Sequence, residues 1–145
     1  MHSMDKVKGF VVTAAGAAGG IVSAALGGWD PAIMTLLICM AADYATGFLV
    51  AAVFHKSMKS KNGALSSDAG WRGLCKKGVT LVIVAVAHHL GIVTDIPYVR
   101  EAVIFAFMAN EVISLSENAA LMGIPINGII TKVIGALQNK SGEGR

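Results

Sequence analysis

Four long stretches of this sequence are almost free of charged residues, and they limit its fold more than any other feature. They cover residues 10–28, 33–54, 78–93 and 102–122, and each contains at most two charged side chains. A helix needs about 20 mostly apolar residues to cross the roughly 30 Å hydrocarbon core of a membrane, so each stretch is close to the required length. We therefore expect a single all-α membrane domain over residues 1–145, with about four transmembrane helices.

The composition excludes an ordinary soluble enzyme. Hydrophobic residues make up 54% of the chain and charged residues 14%, whereas a soluble domain carries about 25% charged residues. The net charge of +3 is small and scattered, so no nucleic-acid partner is expected. The cysteines and histidines have no zinc-binding spacing, and no nucleophile motif occurs. We expect no metal site, no cofactor and no catalytic residues.

The connection between the second and third stretches is strongly basic and predicts the orientation of the chain. Short cytoplasmic loops of membrane proteins are enriched in Lys and Arg. Both ends of the chain also carry cations, whereas the turns at 29–31 and 94–101 carry only Arg100. We expect a multi-pass protein with both termini in the cytoplasm. The cations of the predicted cytoplasmic loop are Lys56, Lys59, Lys61, Arg72, Lys76 and Lys77.

Small residues recur at every fourth position of the first stretch, at Gly16, Gly20, Ala24 and Gly28. Such a face lets two helix backbones approach closely and pack by van der Waals contact. The pattern leaves open whether this packing occurs within one subunit or between subunits of a homo-oligomer. The same stretch also has features of a cleavable signal peptide, although Gly and Ala replace the usual leucine-rich centre, which favours a retained span.

Polar side chains inside the second and fourth stretches are the candidate functional residues. A carboxylate at the middle of a span costs at least ~2.5–3.5 kcal/mol on insertion scales, so it needs a partner or water. For Asp43, the His88–His89 pair or the polar face of the fourth span are possible donors; a purely structural role also stays open. The polar residues of the fourth span lie within a 120° arc of a helix, and we expect Asp43 and this arc to line a pore or an oligomer interface. Hydrogen bonds of the arc residues with one another inside the bundle are the other alternative. The arc consists of Asn110, Glu111, Ser114, Glu117 and Asn118.

The last part of the chain predicts an amphipathic helix over residues 126–138. Its apolar residues, from Ile126 to Leu137, follow helical spacing, and the other face carries Asn127, Thr131, Lys132 and Gln138. A helix of this kind lies at a membrane surface or packs against a partner helix.

Three segments have an order and spacing that resemble a known family. They are residues 43–47 (Asp-Tyr-Ala-Thr-Gly), the basic segment 66–77, and residues 109–118, in which Asn-Glu and Glu-Asn pairs precede Gly-Ile-Pro at 123–125. The chain resembles bacteriophage holins of the toxin-secretion/phage-lysis type, which include clostridial toxin-release holins. The resemblance runs from about residue 33 to residue 137 and does not include the first stretch.

This resemblance implies a small non-enzymatic protein of the bacterial cytoplasmic membrane. Such proteins oligomerise in the lipid bilayer and permeabilise it, which releases an endolysin or a toxin and lyses the host cell; an antiholin is a possible further partner. Only Asp43, Glu111, Glu117 and the basic connection carry over as matched positions. Two other interpretations stay open: a small oligomeric ion or proton channel or transporter that uses Asp43 and Glu111, and an antiholin or scaffold that docks partners through its C-terminal helix.

Overall fold

A computed structural model describes residues 2–126 and 128–143, and these residues form five α-helices and no strand. The expectation of an all-α chain is confirmed. The helices are α1 (His2–Leu26), α2 (Pro31–Ala52), α3 (Ser67–Thr94), α4 (Val99–Leu121) and α5 (Ile129–Gly142).

Three of these helices are long and apolar enough to cross a membrane: Ser3–Leu26 in α1, Pro31–Ala52 and Ser67–Thr94. The fourth predicted span is formed as helix α4, but α4 is not among the three, because its acids and amides lower its hydropathy. By length and composition alone, the described residues therefore contain three candidate membrane spans.

The third helix begins eleven residues before the predicted boundary at residue 78. Ser66 is its N-cap, and the Ser66 hydroxyl accepts a hydrogen bond from the Ala69 N–H at 3.3 Å. An N-cap side chain of this kind satisfies one of the free N–H groups of the first turn and so fixes the start of the helix. Arg72, Lys76 and Lys77 consequently lie on α3, and the prediction that they belong to a loop was wrong.

The core of the molecule is a bundle of α2, α3 and α4, with α4 packed against both of the others. Each helix contributes an apolar face, and burying these faces removes methyl and methylene groups from solvent. Asp30 caps α2 by accepting a hydrogen bond from the Ile33 N–H at 2.9 Å, and Pro31 follows as a favoured first helical residue. The buried core residues are Leu26, Ile33, Leu36, Met40, Val84, Ile104 and Met108.

Helix α1 extends away from this bundle and contacts it only near its carboxyl end. Phe10 and Ile21 are 75% and 72% exposed. A Cβ added at Gly16 or Gly20 would meet no atom within 4 Å in the described part of the chain. The predicted small-residue face is therefore unoccupied within one subunit, and Gly28 lies beyond the end of α1, with a φ of +101°.

Helix α5 packs along α4 of the same chain. Leu137 joins the margin of the core, and Lys140 Nζ lies 5.7 Å from the centroid of the Phe105 ring. The predicted helix over 126–138 is thus shifted to 129–142, and Asn127 lies outside the described residues. Because Phe105 is near the amino end of α4 and α5 follows its carboxyl end, α5 runs back antiparallel to α4.

Candidate functional site

A charged cluster joins the three helices of the bundle at Lys77. The Lys77 ammonium lies 2.8 Å from Asp43 Oδ2 on α2 and 2.5 Å from Glu111 Oε2 on α4. The Lys77 side chain is 13% exposed and both carboxylate side chains are 8% exposed. Each carboxylate therefore has a charge partner in a place where water is scarce, and the three charges sum to −1.

The amide of Asn118 completes this cluster. Asn118 Nδ2 donates to Asp43 Oδ1 at 3.0 Å, to the Asp43 carbonyl at 3.2 Å and to Thr46 Oγ1 at 3.0 Å. Gly47 leaves room for this approach, because a Cβ added at this position would lie 3.6 Å from Asn118 Nδ2. We call Asp43, Lys77, Glu111 and Asn118 the Lys77 cluster; it ties α2 to α4 and to α3.

The cluster lies well inside the helices. Asp43 is nine residues (52 − 43) before the last residue of α2, and Lys77 is ten residues (77 − 67) after the first residue of α3. At 1.5 Å per residue, both are about 14–15 Å from the helix ends that meet at the connector 53–66. A carboxylate at such depth in a lipid-embedded helix is a functional-site candidate by default.

A cleft of about 470 Å³ opens between α2, α3, α4 and the connector 53–66, with the Lys77 cluster at its inner end. We call it the α2–α3 cleft. Its lining combines aromatic side chains with cations: Tyr44 and Phe48 from α2, Lys76 from α3 and Lys59 from the connector. Glu111, Asn110 and Ser114 reach it from α4.

A second polar node lies at the opposite end of the bundle, around the buried Arg100. Its guanidinium donates to Asp30 Oδ2 at 2.6 Å and to Glu101 Oε1 at 3.0 Å, and also to the backbone carbonyls of Leu26 and Gly28. These bonds fix the α1–α2 turn against the start of α4.

The charge of Arg100 also affects the titration of Asp30. Desolvation alone would raise the pKa of Asp30, but the hydrogen bond and charge of Arg100 and the Ile33 N–H outweigh it, so this pKa lies below its usual value. A depressed carboxyl pKa stabilises the fold above the ordinary pKa, and the stabilisation is lost as the pH falls through the depressed value. The contact between Arg100 and Asp30 is therefore fully formed at neutral pH.

The structure brings some of the sequence-predicted residues together and separates others. Asp43, Glu111 and Asn118 meet in the Lys77 cluster, and Asn110 and Ser114 line the adjoining cleft. Glu117 is exposed and lies outside the lining of the cleft. Asp43 accepts a hydrogen bond from Asn118 on the fourth helix, one of the two alternatives expected, and another from Lys77 on α3, which neither alternative included.

The histidine pair does not supply a donor to Asp43. The rings of His88 and His89 pack against each other with centroids 5.1 Å apart, and His88 lies beside Gly27 near Arg100. Among the residues with described positions, no three His, Cys, Asp or Glu side chains come together as a metal site.

Sequence reasoning missed Lys77 as the partner of both acids. The signal that pointed to it was local: Ser66 is a good N-cap residue, and a helix that starts at residue 67 carries Lys77 into its third turn. Lys77 is 34 residues from Asp43 and 34 residues from Glu111 in the sequence, so no spacing rule within one helix connects it to either acid.

Comparison with known proteins identifies relatives over most of the chain. The bacteriophage holin family matches residues 20–139. An uncharacterized protein of Clostridium perfringens is 37% identical over 117 residues, 79% of this chain and 81% of the relative. An uncharacterized protein of Listeria monocytogenes is 34% identical over 113 residues, 77% and 75% of the two chains. A protein of Bacillus phage phi105 described as a probable holin is 30% identical over 97 residues, 66% of each chain. No solved structure matches.

Proposed function

This chain belongs to the bacteriophage holin family, and we propose that it oligomerises in the bacterial cytoplasmic membrane and permeabilises it, so that an endolysin or a toxin can leave the cell. Membership in this family makes it a membrane protein of a non-enzymatic kind. The observation that carries the proposal is the Lys77 cluster, which keeps two acids of the spans paired inside a single subunit.

The packing of α4 supports four spans. Only residues 95–98 separate α3 from α4, so α4 begins on the same side of the membrane on which α3 ends. Ile104 and Met108 of α4 pack in the core with Leu36 of α2 and Val84 of α3. If α2 and α3 cross the bilayer, α4 must cross beside them, because its apolar face is buried between them along its length.

The charge distribution supports an orientation with the amino terminus and the connector 53–66 in the cytoplasm. The connector 53–66 and the start of α3 carry the basic residues, and the positive-inside rule assigns such a segment to the cytoplasm. With four spans, the amino end of the chain and the carboxyl end of α4 then lie on that same side, and α5 runs back from there along α4. The Lys77 cluster lies on the cytoplasmic half of the bundle in this orientation.

The polar side chains of α4 and α5 suggest how a subunit that is stable in lipid can open. In a single subunit, Glu111 and Asn118 are buried against Lys77 and Asp43. Helix α5 nevertheless carries the exposed residues Lys132 and Asn139 along α4, at a depth where lipid cannot hydrate them. When many subunits meet, these polar faces leave the lipid and contact water or the polar faces of other subunits. Because each added subunit offers another polar face, opening is cooperative.

The unoccupied face of α1 supports contact between subunits. A homo-oligomer formed through Gly16 and Gly20 needs close backbone approach, which any large side chain at these positions would prevent. Neither glycine has a neighbour from another part of the chain among residues 2–126 and 128–143, so a substitution there leaves the bundle of α2, α3 and α4 intact.

Replacing Gly16 and Gly20 together by leucine should therefore weaken assembly without unfolding the subunit. We expect cross-linked oligomers to fall at least fivefold and lysis to be delayed. The matched control is A14L/A18L, which places the same two leucine side chains about 160° around the helix. Oligomers are measured by chemical cross-linking in membranes. Equal oligomer yields from both double variants would contradict a contact through this face.

Induced expression in bacteria tests the proposed function. Growth, membrane potential and release of a cytoplasmic enzyme are followed in one culture. A holin is expected to cause an abrupt, delayed collapse of all three. A graded loss of ions with retained enzyme would instead favour a small channel or transporter that uses Asp43 and Glu111, and an absence of toxicity would favour an antiholin or scaffold.

A further inference from the structure

The α2–α3 cleft contains two cations that pair with no carboxylate of the described residues. Four basic side chains line it, and two have carboxylate partners: Lys77 in its cluster, and Arg72, whose guanidinium lies 2.6 Å from Asp68. Lys59 and Lys76 form no ion pair within residues 2–126 and 128–143. The mouth of the cleft thus carries two uncompensated positive charges.

Further polar groups in the cleft are also incompletely used. Ser60, on the connector, has a buried hydroxyl that finds no hydrogen-bond partner in the described part of the chain. A buried hydroxyl of this kind costs free energy unless a ligand or water satisfies it. At the inner end, Lys77 binds Glu111 through Oε2, which leaves the second carboxylate oxygen available as an acceptor.

The walls of the cleft are apolar and aromatic. The Tyr44 ring lies over α3 beside Gly70 and Gly73, and Phe48 is half exposed one turn further along α2. The volume of about 470 Å³ lies within the range of about 300–1,000 Å³ that small-ligand sites occupy. The cleft therefore presents cations at its mouth, hydrogen-bond acceptors at its inner end and an apolar wall between them.

From this arrangement we infer that the α2–α3 cleft binds the headgroup of an anionic phospholipid, with phosphatidylglycerol as the best chemical match. The phosphate diester lies between Lys59 and Lys76, and a headgroup hydroxyl donates to Glu111. The glycerol backbone and upper acyl chain lie along Tyr44 and Phe48.

The position of the cleft favours a lipid over other anions. Basic pockets between helices at the cytoplasmic face of a membrane protein are typical sites for acidic lipid headgroups. This inference rests on the proposed orientation, which puts the connector 53–66 at the cytoplasmic surface, but it does not require a hole to form. A free phosphate ion is also an anion, but it has no apolar group that could contact the aromatic wall.

Lipid binding to the full-length protein, delipidated in detergent, tests the inference. Phosphatidylglycerol is added back, and native mass spectrometry gives the lipid concentration at half-occupancy. We expect K59Q/K76Q to raise this concentration at least tenfold. The matched control, K56Q/K61Q, removes the same charge from cations outside the cleft lining and should change it less than twofold. Both lysines of the cleft pair are exposed, so the unfolding temperature of the lipid-free variant should match that of the wild type.

Three results would overturn the inference. Equal losses in the two double variants would mean that the surface attracts acidic lipid without a site. Equal binding of phosphatidylcholine would remove the role of the cations, and full competition by inorganic phosphate would make the ligand a free anion. Lipid occupancy is read without membrane leakage, so a failure here is distinguishable from a failure of the proposed permeabilisation.

Discussion

Replacing Lys77 by methionine should strongly destabilise the bundle. The substitution leaves Asp43 and Glu111 as two buried carboxylates, each without its cation. Removing one partner of a buried ion pair costs about 3–5 kcal/mol. For a chain of this size we expect the unfolding temperature in detergent to fall by roughly 6–20 °C.

A neighbouring lysine provides the control for this prediction. Lys76 is exposed and, within the structure as described, pairs with no carboxylate, so K76M should change the unfolding temperature by only about 1–2 °C. Adding D43N and E111Q to K77M removes the unpaired charges together, and we expect this triple variant to recover most of the lost stability. If K77M unfolds at the same temperature as K76M, the cluster does not hold the three helices together.

Replacing Glu111 by leucine should abolish permeabilisation or delay it at least tenfold while leaving the subunit folded and inserted. Lys77 keeps Asp43 as its partner, and the charge of the cluster changes from −1 to zero. Removing a carboxylate from the interior of a span lowers the cost of insertion by ~2.5–3.5 kcal/mol. A defect in this variant therefore reports on the polar face of α4 and not on delivery to the membrane.

The matched control for E111L is E117L. Glu117 belongs to the same arc in the sequence, yet it is exposed and lies outside the α2–α3 cleft. We expect E117L to lyse cells within twofold of the wild-type delay. The delay is measured from induction to loss of membrane potential, with protein amounts compared in isolated membranes. Normal timing in E111L would remove Glu111 from the mechanism.

The sequence predicts the helices well because the signal for them is local. Runs of apolar residues locate α2 and α4 within a few residues of their observed bounds. The start of α3 differs because hydropathy marks where a helix becomes apolar, whereas the N-cap at Ser66 marks where its backbone hydrogen bonds begin. Because α3 begins at residue 67, Arg72, Lys76 and Lys77 belong to this helix and not to the loop.

The site is only half visible in the sequence for a different reason. An acid inside a span needs a partner, and this requirement identified Asp43 and Glu111 as candidate site residues. It does not identify the partner, since Lys77 comes from a third helix and reaches both acids only after the three helices pack. Similarly, the spacing of small residues predicts a packing face on α1, and only the fold reveals that none of the helices described for the same subunit occupies it at Gly16 and Gly20.

In the proposed mechanism, separate subunits keep their acids paired and crowded subunits open together. Its most direct test reconstitutes the purified protein in vesicles at increasing protein-to-lipid ratios, with a small dye and a large dextran trapped inside. We expect no release at low density, followed by joint escape of dye and dextran above a threshold density at which E111L still releases neither. Release in simple proportion to protein density, or release of the small dye alone at every density, would contradict it.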